Sequence, residues 1–170
     1  MRFVSTRGGD TATLDQALVN GIAPDGGLYV PVDLPVFNTT DFDQAGTIPE
    51  VAGVLLQPFF SDSALVGDLG QVLAETFSFP IPATSLPGAD GHASLLELYH
   101  GPTAAFKDVG AGFLAACLTR LEGDQAAPLT ILVATSGDTG GAVAAAFNER
   151  LGMRVVVLFP DGRVSARQAH

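Results

Sequence analysis

The stretch from Leu129 to Phe159 constrains the fold more than any other part of this chain. Leu129-Thr130-Ile131-Leu132-Val133-Ala134 is an almost continuous apolar run of strand length. Such a run predicts a strand buried on both faces. Thr139 to Leu151 follows as an alanine-rich helix, with Val143, Phe147 and Leu151 on one stripe. Val155-Val156-Val157-Leu158-Phe159 is a second buried strand by the same reasoning. Strand, helix, strand in that order implies a parallel sheet with a right-handed crossover.

The connection between the first strand and the helix is "ATSGDTGG", Ala134 to Gly141. It gathers the backbone N–H groups of Ser136, Gly137, Asp138, Thr139 and Gly140 at a helix start. A helix start leaves amide donors unpaired and carries partial positive charge, so it favours anions. Ligands of open parallel sheets bind at the carboxyl ends of the strands, where this loop falls. The same residues also read as ordinary helix capping and turn chemistry. The Asp138 carboxylate opposes a bare phosphate and suits a ligand with a mixed polar face.

Upstream, the rhythm is different. Arg2 to Thr6 reads as a strand, and Thr13 caps a helix through Leu14, Ala17 and Leu18 to Gly21. Pro24-Asp25-Gly26-Gly27 is a turn before a short strand at Leu28 to Pro31. Helical patterns cover Glu50 to Leu56 and Leu65 to Phe77. Phe79 to Gly88, broken by prolines, reads as a linker without regular structure. Leu95 to Tyr99 is a strand candidate and Val109 to Leu121 a helix candidate, with Leu114, Cys117, Leu118 and Leu121 three and four apart. The expected class is α/β. A small α+β domain covers residues 1–92, and 93–170 start a parallel-sheet domain. Val164 to His170 reads as the opening of another segment, so the expectation is an N-terminal portion of something longer.

"HGPTAAFKDVG", His100 to Gly110, holds the single lysine of the chain; the other seven basic residues are arginines. A lysine in apolar surroundings favours its neutral, nucleophilic form, which makes Schiff bases with carbonyl compounds. A neighbouring carboxylate such as Asp108 favours the charged form. The alternative is a surface lysine whose stem lies on Phe106.

Other classes find little support. The formal charge of −10 disfavours nucleic acid and anionic membrane surfaces as partners. Cys117 is the sole cysteine, so neither an intramolecular disulfide nor a cysteine-based zinc site can form, which fits a cytoplasmic protein. The first residues lack the pattern of a signal peptide. There is no Gly-x-Ser-x-Gly, no Gly-x-Gly-x-x-Gly after a strand, no Walker sequence, and no acidic cluster at metal-ligand spacing. His100 either orients a ligand or ties its own turn.

Three stretches taken together, "DGGLYVP" from Asp25, "ELYHGPTAAFKD" from Glu97 and "ATSGDTG" from Ala134, resemble the threonine synthase family. The resemblance spans nearly the whole chain. It implies a three-layer, fold-type II α/β domain that depends on pyridoxal 5'-phosphate, preceded by a small N-terminal domain. It implies that Lys107 binds the cofactor covalently, as an internal aldimine, with Phe106 beside it. Asp138 would face the cofactor ring, at a position where many relatives carry asparagine. Thr135, Ser136, Gly137 and Thr139 would bind the substrate, O-phospho-L-homoserine. The family's loop for the cofactor phosphate lies downstream, so the remainder of the polypeptide is the expected partner and these residues alone should be nearly inactive. The rival readings are a phospholyase or dehydratase on the same scaffold, and a non-catalytic interaction module.

Overall fold

Three small sheets organise the chain in the computed structural model, which describes residues 1–88, 92–122, 128–135, 137–148 and 150–166. Strand β1 (Phe3–Ser5) is central to the first sheet. It pairs antiparallel with β2 (Thr11–Ala12) on one side and with β3 (Tyr29–Pro31) on the other. Helix α1 (Leu14–Asn20) starts at Thr13, whose hydroxyl accepts from the Gln16 amide while the Gln16 side chain accepts from the Thr13 amide. This reciprocal capping satisfies two donors that a helix start otherwise leaves open. A 3₁₀ turn (Thr39–Phe42) precedes α2 (Ile48–Phe60), which begins on a second reciprocal cap between Thr47 and Glu50. The sequence ends α2 at Leu56; it runs on to Phe60 through Pro58. Helix α3 (Leu69–Thr76) follows.

The proline-rich linker does contain regular structure. Strand β4 (Ala83–Ser85) fits between Pro82 and Pro87 and pairs antiparallel with β5 (Ser94–Leu96). No proline falls inside the paired residues, so the ladder loses no donor. Helix α4 (Lys107–Glu122) starts two residues earlier than the apolar spacing indicates, on Lys107 itself. Strands β6 (Leu129–Ala134) and β7 (Met153–Leu158) are parallel and in register from Leu129–Met153 to Ala134–Leu158, with α5 (Asp138–Phe147) between them in sequence.

Burial on both faces of β6 and β7 is not what forms. Their exposure alternates residue by residue, with Leu132 65% and Leu158 53% exposed. Helix α5 lies against the face that carries Val157, and among the described residues each strand is hydrogen-bonded only to the other. The opposite face, with Leu132, Val156 and Leu158, therefore meets solvent in this chain. Helix α5 also stops at Phe147, because Asn148 takes an extended ψ of 136°. Leu151, expected on the buried stripe, is 85% exposed. Arg150 closes the helix end by donating from Nε to the Ala146 carbonyl at 2.8 Å.

The chain divides into two compact units. One comprises residues 1–75 with 116–123, and the other 76–115 with 124–170. Buried side chains of the first include Phe60, Leu65, Val72, Cys117 and Leu118. Burial pushes the Cys117 thiol up to about 12, so it is a small core residue and not a nucleophile at neutral pH. Phe147 and Ala142 are buried in the second unit. No helix among the described residues is long and apolar enough to cross a membrane.

Candidate active site

Of the three stretches singled out in the sequence, the first serves the fold. The Asp25 carboxylate accepts from the Ser5 hydroxyl at 2.7 Å and from the Gly27 amide at 2.9 Å, which holds its pKa below the ordinary value. A Cβ on Gly27 would run into the Ser5 hydroxyl and lie 3.1 Å from the Arg7 amide nitrogen. Only glycine fits there. "DGG" thus locks β3 to β1.

The other two stretches lie together in the second unit. Lys107 is half-buried at the first residue of α4, and its Nζ sits 4.5 Å from the centre of the Phe106 ring. The ring itself is 61% exposed. The lysine thus rests on Phe106, as the surface reading expects, yet at the head of a helix. The turn leading to it is unusual. Ala104 has φ +57°, the left-handed region that side chains rarely adopt. Its amide donates to the Gly101 carbonyl at 3.1 Å.

Asp108 holds that turn shut. Its carboxylate, in a residue only 5% exposed, accepts from the Thr103 amide at 2.9 Å and from the Thr103 hydroxyl at 2.5 Å. A Cβ on Gly101 would lie 2.8 Å from that of Asp108, so the turn has no room for a side chain there. The methyl group of Thr103 in turn lies 4.0 Å from where a Cβ on Gly141 would be, at the end of the first turn of α5. The lysine turn and the Gly-rich loop are therefore neighbours at Thr103 and Gly141. Nothing in the hydrophobic spacing signals this.

In the loop itself, Ser136 lies outside the described residues. Gly137 occupies the N-cap of α5 and has no side chain to cap it. Thr135 does so instead: its hydroxyl accepts from the Gly137 amide at 3.2 Å and the Gly140 amide at 3.1 Å. Its own amide extends the ladder to the Leu158 carbonyl at 2.9 Å. The Thr135 hydroxyl thus organises the loop, a role the sequence did not separate from ligand contact. Asp138 and Thr139 are exposed on the first turn of α5, where a helix presents positive potential.

His100 ties its own turn. Its Nε2 lies 2.7 Å from a Glu97 oxygen, and the Thr84 hydroxyl donates to the other at 2.7 Å. Hydrogen bonds from Thr84 first, then His100 and Tyr99, lower the Glu97 carboxyl to about 2. Its folded pKa lies below the unfolded value near 4.5, so its stabilisation is complete above that value and fades as pH falls towards 2. Glu97→Gln is expected to flatten the acid limb of a stability–pH curve across that window. Superimposable limbs for the two proteins would show that the cluster contributes nothing.

A parallel β–α–β unit with a Gly-rich loop at the carboxyl end of its first strand, and a lysine at a helix start of the same compact unit, is the architecture of an open α/β domain. Residues 2–77 match the model of the family described as "Threonine synthase N terminus". The threonine synthase of Escherichia coli (strain K12) is 40% identical over 155 residues, covering 90% of this chain and 35% of that protein. That of Pseudomonas aeruginosa is 35% identical, covering 99% of this chain and 37% of that protein. Among solved structures, a PLP-bound threonine synthase from Brucella melitensis matches with a TM-score of 0.87 and 37% identity, over 99% of this chain and 37% of that one. The chain belongs to the threonine synthase family and corresponds to the N-terminal portion of its members, with the mixed α/β fold they share. It spans little more than a third of the length of the relatives it matches.

Proposed function

We propose that this chain supplies the amine and one wall of an active site that converts O-phospho-L-homoserine and water to L-threonine and phosphate. The remainder of a family-length polypeptide completes the site, and the chain alone is nearly inactive. In this reading residues 1–92 are the small N-terminal domain and 93–170 open the cofactor domain. The observation that carries it is the half-buried Lys107 at the head of α4, in a turn whose Thr103 lies beside the first turn of α5.

The donor set suits pyridoxal 5'-phosphate. A primary amine can hold its aldehyde as a Schiff base, and Phe106, against Nζ, and Asp138, on the first turn of α5, are the groups proposed to flank the ring. Once bound, the cofactor supplies an electron sink for negative charge at the substrate's carbon. Lys107 then has two tasks. Its Nζ holds the cofactor at rest, and when released it takes a proton from the substrate's α-carbon and later returns one. Thr139, Gly137 and the first turn of α5 bind the substrate's anionic groups, which the helix potential favours. Ser136 is assigned to the same wall and Thr135 to holding it in shape.

The test uses the polypeptide completed to the length of its relatives. Borohydride reduction with the cofactor bound, followed by digestion, is expected to place the label on the peptide containing Lys107. Within these 170 residues the only other primary amine is the N-terminus. A label confined to any other residue overturns the assignment. Product analysis distinguishes threonine from the α-keto acid and ammonia of a lyase.

A further inference from the structure

We infer that Asp108 is a positioning residue for Lys107, acting through two hydrogen bonds to Thr103 and not through its charge. This rests on the function proposed above.

Lys107 and Asp108 are the first two residues of α4, so their side chains leave the helix about 100° apart. Fixing one fixes the rotation of the other about the helix axis. Asp108 is fixed twice: Oδ2 takes the Thr103 amide and Oδ1 the Thr103 hydroxyl. The path between them is closed further by the Asp108 amide, which donates to the Ala105 carbonyl at 3.0 Å. The left-handed Ala104 sits inside this closed turn, a conformation that persists only where the surroundings impose it. Thr103 also lies beside the first turn of α5, its methyl group 4.0 Å from where a Cβ on Gly141 would be, so the residue that holds Asp108 neighbours the loop as well. A clamp of this kind fixes geometry without touching substrate.

The chemistry separates geometry from charge. In Asp108→Asn the side-chain carbonyl can still accept the Thr103 amide, and the NH2 can donate to the Thr103 hydroxyl oxygen. In Asp108→Ala both bonds are lost. For the completed enzyme loaded with pyridoxal phosphate, Asp108→Ala is expected to lower kcat by about thirtyfold with KM within about threefold. The visible circular dichroism per bound cofactor should fall to less than about half, because the amine no longer fixes the ring's orientation. Asp108→Asn should stay within about fivefold of wild-type kcat and keep the dichroism. If Asp108→Asn is as impaired as Asp108→Ala at equal cofactor loading, charge is what matters and the inference is wrong. Full activity in Asp108→Ala also overturns it. If Asp108→Ala does not fold, Thr103→Val decides: it should lose about tenfold in kcat, Thr103→Ser should recover it, and an unchanged Thr103→Val refutes the clamp. Hydrogen exchange at the Thr103 amide reads the clamp apart from catalysis. It should be protected in wild type and Asp108→Asn and fast in Asp108→Ala, even if no label is found on Lys107 and the proposed function fails.

Discussion

Replacing Lys107 by arginine is expected to lower threonine formation by the completed enzyme by about a thousandfold or more. A guanidinium stays protonated at all working pH values, so it has no free lone pair to add to an aldehyde or to take a proton from carbon. It keeps a long basic side chain able to rest on the Phe106 ring, 4.5 Å from the present amine, so folding should survive. The measurement is threonine produced per enzyme, alongside far-ultraviolet circular dichroism to confirm the fold. The borohydride label on this peptide should vanish in the same protein. Turnover within tenfold of wild type would remove Lys107 from the reaction.

Gly140→Ala should cost about 3 kcal/mol of stability in the same polypeptide and displace the start of α5. The added Cβ would lie 3.0 Å from Val157 Cγ1 and overlap the Thr135 methyl group. Neither neighbour can step aside easily. Val157 is paired with Val133 inside the two-stranded ladder, one pair from its carboxyl end. Thr135 is held at its amide by Leu158 and at its hydroxyl by two loop amides. The same geometry offers a control. Thr135→Ser removes the methyl group but keeps the hydroxyl, so added to Gly140→Ala it should return about 1 kcal/mol or more. Urea midpoints of the single and double variants check this, and equal midpoints for Gly140→Ala and wild type would show that α5 can move off β7 freely.

Local signals were legible and non-local ones were not. Strand β6 has the bounds its apolar run indicates, and Thr13 caps α1 as a threonine before a helix should. Strand β4 is not legible in the local sequence, because its partner lies beyond a further turn and short-range composition shows only prolines. A continuous apolar run says both faces of a strand tolerate burial; it does not say what covers them, and here α5 covers one. Within the site, the spacing marked the amine and the loop as separate stretches. That a threonine five residues before an aspartate closes the lysine turn and lies beside the loop follows from a turn with a left-handed alanine that no periodicity announces. The work of the Thr135 hydroxyl was hidden for the same reason, since capping from two residues before the N-cap follows from loop shape.

The entombed sulfur of Cys117 gives this molecule a built-in stopwatch. It stands on the same helix that Lys107 begins, and a thiol reagent can reach it only when the packing around that part of the helix opens. The rate of its alkylation therefore times the loosening of the packing around the helix on which Lys107 is mounted, with no foreign probe introduced.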